Sequence, residues 1–233
     1  MNLAVLKSLT LAGVEWELSE KSPVKNIELR RTKTKGLAKE AHIPRSTRPP
    51  MSHQEILAEG QRLATEDNIP TAIQNFLSHP LYHSAKNTVL PHMGGNKLCV
   101  ITDMPSLSDD ASGEILSGGD GELFDKMLAA IGLSRADITI MPLVFWRTAG
   151  GRTPTDEELT AARPFVDKII EQVNASKILT LGKLAAEKIA GAKLPGDHGK
   201  VFGNVIVTYK PDFIAQNPSV KAAVFEALKL ITN

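Results

Sequence analysis

Four short apolar runs, each separated from the next by a stretch of helical periodicity, constrain this chain more than any other feature. They are Leu98–Met104, Ile138–Val144, Lys177–Gly182 and Val205–Lys210. Each is nearly continuous in apolar character where a half-exposed strand would alternate, so each reads as a strand covered on both faces. Between them, Leu123, Met127, Leu128 and Ile131 recur at helical spacing, with Gly132 as a stop. Thr155 and Glu158 form a capping box that opens a long helix carrying Leu159, Ala162, Val166, Ile169 and Val173. Lys183 to Ala190 makes a further helix ended by Gly191, and Ser219 caps a last one with Val220, Ala223, Ala227, Leu228 and Ile231 inward. Upstream, Ser52 with Glu55 caps a helix running to about Thr65, and a short helix begins near Pro70. Strand alternating with helix predicts a parallel sheet with helices on both faces, and such a sheet binds ligands at the carboxyl ends of its strands. The loops after Met104, Val144, Gly182 and Lys210 are therefore where a site is expected.

The 233 residues suit one α/β domain with an extension, and a hydrophobic share of 42% is enough for a core. No apolar run reaches the roughly 18 residues of a spanning helix, so no membrane is implied. The opening MNLAVLKSLTLAGVEWELSE lacks a basic leader and a cleavage-type site, and reads as mature protein. One cysteine, Cys99, rules out an internal disulfide and an all-cysteine metal site; within LCVIT it reads as a buried strand residue, and a reducing cytoplasm is the expected compartment. The formal net charge is only +1, yet nine Lys or Arg against Glu28 and Glu40 crowd Lys21 to Arg48. This basic arm is either a solvated linker or a set of phosphate contacts, which makes DNA the candidate partner. The expected division is a basic extension over residues 1–51 and a domain over 52–233, and a monomer is expected.

Particular segments carry a resemblance. Glu122–Arg135 reads ELFDKMLAAIGLSR; Phe145–Arg147 reads FWR and Gly151–Thr155 GRTPT; RPFV follows at Arg163. Leu179–Gly191 reads LTLGKLAAEKIAG and Thr208–Pro218 reads TYKPDFIAQNP. From about Ile73 to Ile231 the chain resembles the iron–sulfur, family 4 branch of the uracil-DNA glycosylase superfamily, and VEWEL resembles a leader of some bacterial members. The resemblance implies a three-layer αβα sandwich on a four-stranded parallel sheet, and base-excision DNA repair chemistry.

The family's chemical residues are largely replaced. Its first loop, GEAPG…ED, aligns with Thr102 to Asp110; Pro105 persists, the glycines become Thr102 and Ser106, and the acid becomes Asp103. Asp103 is either a capping carboxylate or an electrostatic catalyst, and Asp109 and Asp110 are either the second acidic pair or solvated loop charges. The base-stacking aromatic aligns with Leu116 and the uracil-reading asparagine with Pro142, which has neither a polar side chain nor an N–H. The HPAYLL motif reads Lys210-Pro211-Asp212-Phe213-Ile214-Ala215, with Lys210 for the histidine. Arg147 and Arg152, in the retained block, are candidates for DNA-backbone contact, and His198 lies in a loop before the last strand. The cluster cysteines align with Phe76, His79, Ala162 and Leu179, so no cofactor is expected and a hydrophobic plug is expected instead.

Three functions fit these residues. One is a non-catalytic nucleic-acid or nucleotide binder that keeps the fold without standard uracil excision. Another is an active glycosylase of altered base specificity, using Asp103 and Lys210, with a Schiff base at the lysine as one route. The third is a protein-interaction or structural role without nucleic acid.

Overall fold

The computed structural model describes residues 51–232. The basic segment Lys21–Arg48 and the leader VEWEL lie outside the described residues. Helices α1 (His53–Leu63) and α2 (Ile69–Gln74) come first, then strands β1 (His92–Met93) and β2 (Leu98–Thr102) and helices α3 (Leu107–Ser112) and α4 (Gly118–Ala129). There follow β3 (Ile138–Pro142), α5 (Asp156–Val173), β4 (Ile178–Leu181), α6 (Lys183–Ala190), β5 (Val201–Phe202), β6 (Val205–Thr208), α7 (Pro211–Gln216) and α8 (Lys221–Thr232).

The sheet order is β1-β3-β2-β4-β6-β5. The four inner strands are parallel, with Thr102 opposite Pro142 and Leu181, and Leu181 opposite Thr208. These are the four apolar runs, and every residue in them is buried. The expectation of a four-stranded sheet is corrected at its edges. β1 and β5 add antiparallel to β3 and β6, two residues each, too short for any periodicity to announce them. The inner strands also stop one or two residues short of the apolar runs, because the chain leaves the ladder while still buried, as at Leu143–Trp146.

Strand alternation sends Cys99 and Ile101 to one face, where α1, α2 and α5 pack, and Leu98 and Val100 to the other, under α4, α7 and α8. The capping boxes Ser52–Glu55 and Thr155–Glu158 form as their spacing predicts. Gly191 ends α6 in a left-handed conformation, φ 65°. Ser219 does not cap the last helix; it sits in a 3-10 turn, Pro218–Val220, that leads into α8.

Candidate functional site

The carboxyl ends of the inner strands open into a cleft of about 270 Å³. Three chain segments build it: the loop from β2 to α4, the loop after β3, and the turn from β6 into α7. The first is held rigidly. Ser106 caps α3 in a box with Asp109, whose buried carboxylate accepts from the Ser106 N–H at 2.9 Å and from the Ser117 N–H and hydroxyl at 2.7 and 2.9 Å. Asp110 accepts from the N–H groups of Lys86 and Asn87 at 2.9 and 3.1 Å. Both aspartates thus bind the loop to the fold and are not solvated loop charges. Leu116 lies at φ 50°, a conformation costly for a residue with a Cβ. Arg135 holds it there by donating to the Ile115 carbonyl at 3.0 Å and the Leu116 carbonyl at 2.6 Å.

Of the residues singled out from sequence, Thr102, Pro105, Ser106, Asp109, Leu116, Arg147, Lys210 and Pro211 line the cleft. Asp103, Pro142 and Arg152 do not. Asp103 turns away from the cleft to cap α6. Its Oδ1 accepts from the Ala185 N–H at 2.7 Å, doing for that helix what its own N-cap residue, Gly182, has no side chain to do. A Cβ on Gly182, where φ is 110°, would stand 2.5 Å from Asp103 Oδ2, so the glycine makes room for the cap. Burial pushes the Asp103 carboxyl up, while the Ala185 N–H and the Lys210 ammonium pull it down. Lys210 Nζ lies 3.9 Å from Asp103 Oδ2 and 3.4 Å from Asp212 Oδ2.

Pro142 is buried at the end of β3, paired with Thr102. Arg152 donates both guanidinium nitrogens to Glu158, whose carboxylate also accepts from the Thr155 N–H. That pairing holds Glu158 below its ordinary range and ties Arg152 to the start of α5. Arg147 lines the cleft without an ion pair among the described residues, lying against Gly151, where a Cβ would come within 2.9 Å of its Nη2. His198 stacks on Tyr209 at 4.3 Å, outside the cleft lining. Two polar residues given no role from sequence also line it: Asp120 and Asp212. Asp212 was readable from its place beside Lys210; Asp120, in an ordinary-looking SGGDGE stretch, carried no signal.

The positions aligned with cluster ligands do not all converge. Phe76, His79 and Ala162 meet on the α5 side of the sheet, whereas Leu179 packs on the opposite side. Trp146 fills the fourth quarter instead. Its ring stacks on His79 at 4.4 Å, Phe76 meets both edge-on, and its indole N–H donates to the Thr88 hydroxyl at 2.9 Å. His79 Nδ1 accepts from the Leu81 N–H at 3.2 Å, so its Nε2 carries the proton that bonds the Glu158 carbonyl at 3.0 Å. Burial lowers its pKa to about 4, which keeps the ring neutral. An iron–sulfur cluster does not fit these residues: the place is packed with carbon and offers no thiolate. Among the described residues no group of three His, Cys, Asp or Glu could hold a metal ion, and no helix is long and apolar enough to cross a membrane.

A family model described as "Uracil DNA glycosylase superfamily" matches residues 93–229. Among curated proteins, the chain is 28% identical over 165 residues to a type-4 uracil-DNA glycosylase of Pyrobaculum aerophilum, covering 64% of this chain and 84% of that one. It is 31% identical over 109 residues to one of Archaeoglobus fulgidus, covering 46% of this chain and just over half, 55%, of that one. It is 29% identical over 151 residues to one of Thermotoga maritima, covering 60% and 78%.

Proposed function

The chain belongs to the uracil DNA glycosylase superfamily, and from that premise we propose that it binds bases of nucleic acid in its cleft but has lost standard uracil excision. The observation that carries this reading is the engagement of Asp103. Base excision needs a carboxylate near the sugar to stabilise an oxocarbenium-like state and a donor for the leaving base. Here the carboxylate aligned with the first-loop acid accepts through Oδ1 from the Ala185 N–H and does not line the cleft, and Asp109 is bonded to Ser106 and Ser117. Pro142 supports the same reading. At the asparagine's aligned position it offers a uracil edge no hydrogen bond, and an unpaired polar edge in a buried site is costly.

The test is purified protein on uracil-bearing single- and double-stranded oligonucleotides. The expected result is no released uracil together with salt-sensitive binding. Uracil release that disappears in Asp103→Asn would overturn the reading; absence of salt-sensitive binding would leave the fold without a nucleic-acid role. Deleting residues 1–51, which we assign to a basic extension, is expected to weaken binding equally across sequences.

A second reading, excision of another base, is favoured by one observation: Lys210 Nζ stands 3.9 Å from Asp103 at the strand ends. For that, the Lys210 ammonium would pass a proton to Asp103 and its amine would bond to C1′ as the base departs with the electron pair of the N-glycosidic bond. The sugar ring then opens to an iminium that borohydride reduces. A trapped adduct lost in Lys210→Ala is the outcome that would replace the first reading with this one.

A further inference from the structure

The polar residues of the cleft fall into two kinds. Asp109 is buried, and its carboxylate is bonded to Ser106 and Ser117, so it is explained by the scaffold. Asp120 and Thr102 are not. Asp120 lines the cleft and makes no hydrogen bond or ion pair among the described residues. Thr102 is 3% exposed, lines the same cleft, and its hydroxyl has no hydrogen-bond partner among the described residues. A buried hydroxyl without a partner is uncommon because it has given up water for nothing. It points to a group that arrives from the cleft.

The charge around it says what kind of group. Asp120 shares the cleft lining with Asp212 and Asp109; burial first, then these two carboxylates, push its carboxyl up, opposed by Lys210. Lys210 is already shared between Asp103 and Asp212, which leaves Arg147 as the one cleft cation with no ion pair among the described residues. An ionised carboxylate only accepts hydrogen bonds, so the ligand must bring donors or positive charge to Asp120. Pro105, Leu116 and Pro211 supply apolar walls suited to a flat ring, and the volume is at the small end for a ligand site, fitting one base. Uracil is a poorer match: its one edge donor, N3–H, lies between two carbonyl acceptors that a carboxylate repels, and it leaves as an anion.

We propose that the cleft selects a positively charged, N-alkylated purine base, with Asp120 as its charge partner and Thr102 as the polar contact on the floor. This rests on the base-binding reading above and names the class of base. The charge of such a ring delocalises over its exocyclic amine, so one carboxylate meets both charge and donor in a charge-assisted hydrogen bond.

The test is calorimetric titration of the full chain with N1-methyladenosine, which is cationic at neutral pH, against adenosine and uridine. The expected result is a preference for N1-methyladenosine over adenosine of roughly tenfold or more, the scale of one hydrogen bond to a charged group. Asp120→Asn should abolish that preference, and Thr102→Val should weaken both purine nucleosides alike. Equal binding of the two purines, or a preference that survives Asp120→Asn in a variant with unchanged Tm, overturns the proposal. A parallel titration with unmodified single-stranded oligonucleotide separates the failures. Salt-sensitive oligonucleotide binding without nucleoside preference sinks only the charge selection; loss of both sinks the base-binding reading as well.

Discussion

Asp103 shows how one carboxylate can be held by structure where chemistry is expected. Its acceptor bond to Ala185 caps a helix whose own N-cap is a glycine. Replacing it with alanine is expected to cost about 1 kcal/mol of stability, as for other N-cap losses, with Asp103→Asn milder because its carbonyl oxygen still accepts. Chemical denaturation of the two variants checks this; an Asp103→Ala protein as stable as the parent would refute the capping role. Gly182→Ala should be worse than either. Its Cβ would stand 2.5 Å from the carboxylate and its φ of 110° is strained for alanine, so both the cap and the backbone must shift.

At the scale of elements, the start of α5 and the α2–β1 connection are joined through His79 and Glu158. His79 is neutral in the folded state, lowered to about 4 from 6.5 by burial, and only the weak pull of Glu158 opposes this. A depressed histidine means that the unfolded chain binds the extra proton between those two values. Stability is therefore full above about pH 6.5 and falls as the pH drops toward 4, by up to roughly 3 kcal/mol at about 1.4 kcal/mol per unit. Glu158, held low by Arg152, contributes stability above its unfolded value and loses it in still more acid solution. Urea titrations across pH 4–7 are expected to show the slope in the parent and a flatter one in His79→Leu; parallel slopes would contradict the assignment. Thr155→Ala, at the cap of the same helix, should cost about 1 kcal/mol at any pH in that range.

For the whole molecule, the joint between the helical face and the loop after β3 is a packed aromatic cluster tethered by the Trp146 N–H to Thr88 and by the His79 ring to the Glu158 carbonyl. Its strength is dispersion and burial, not metal bonds. Chelators are expected to leave Tm unchanged, whereas Trp146→Ala should lose about 3–5 kcal/mol through the cavity it leaves. A chelator-dependent fall in Tm would disprove the packing account. The two sides of the sheet explain why Leu179 cannot belong to this cluster: its neighbours Ile178 and Thr180 alternate with it across the strand.

Local pattern decided much of this protein. Continuous apolar runs dictated the buried strands, capping boxes at Ser52 and Thr155 started two helices, and Gly191 stopped a third, because each signal acts within a few residues. The sequence also determined that no four-thiolate cluster can form, since Cys99 stands alone. The site was less legible. The lining residues named from sequence lie at positions aligned with the family's motifs, in loops that the sheet's geometry gathers. Asp103, however, bonds a backbone N–H 82 residues away, and His79 bonds a carbonyl 79 residues away. Asp120 reaches the cleft from the first turn of α4 and Asp212 from the first turn of α7. Whether a carboxylate caps a helix or faces an open cleft depends on which distant backbone groups fold against it, and only the tertiary structure decides that.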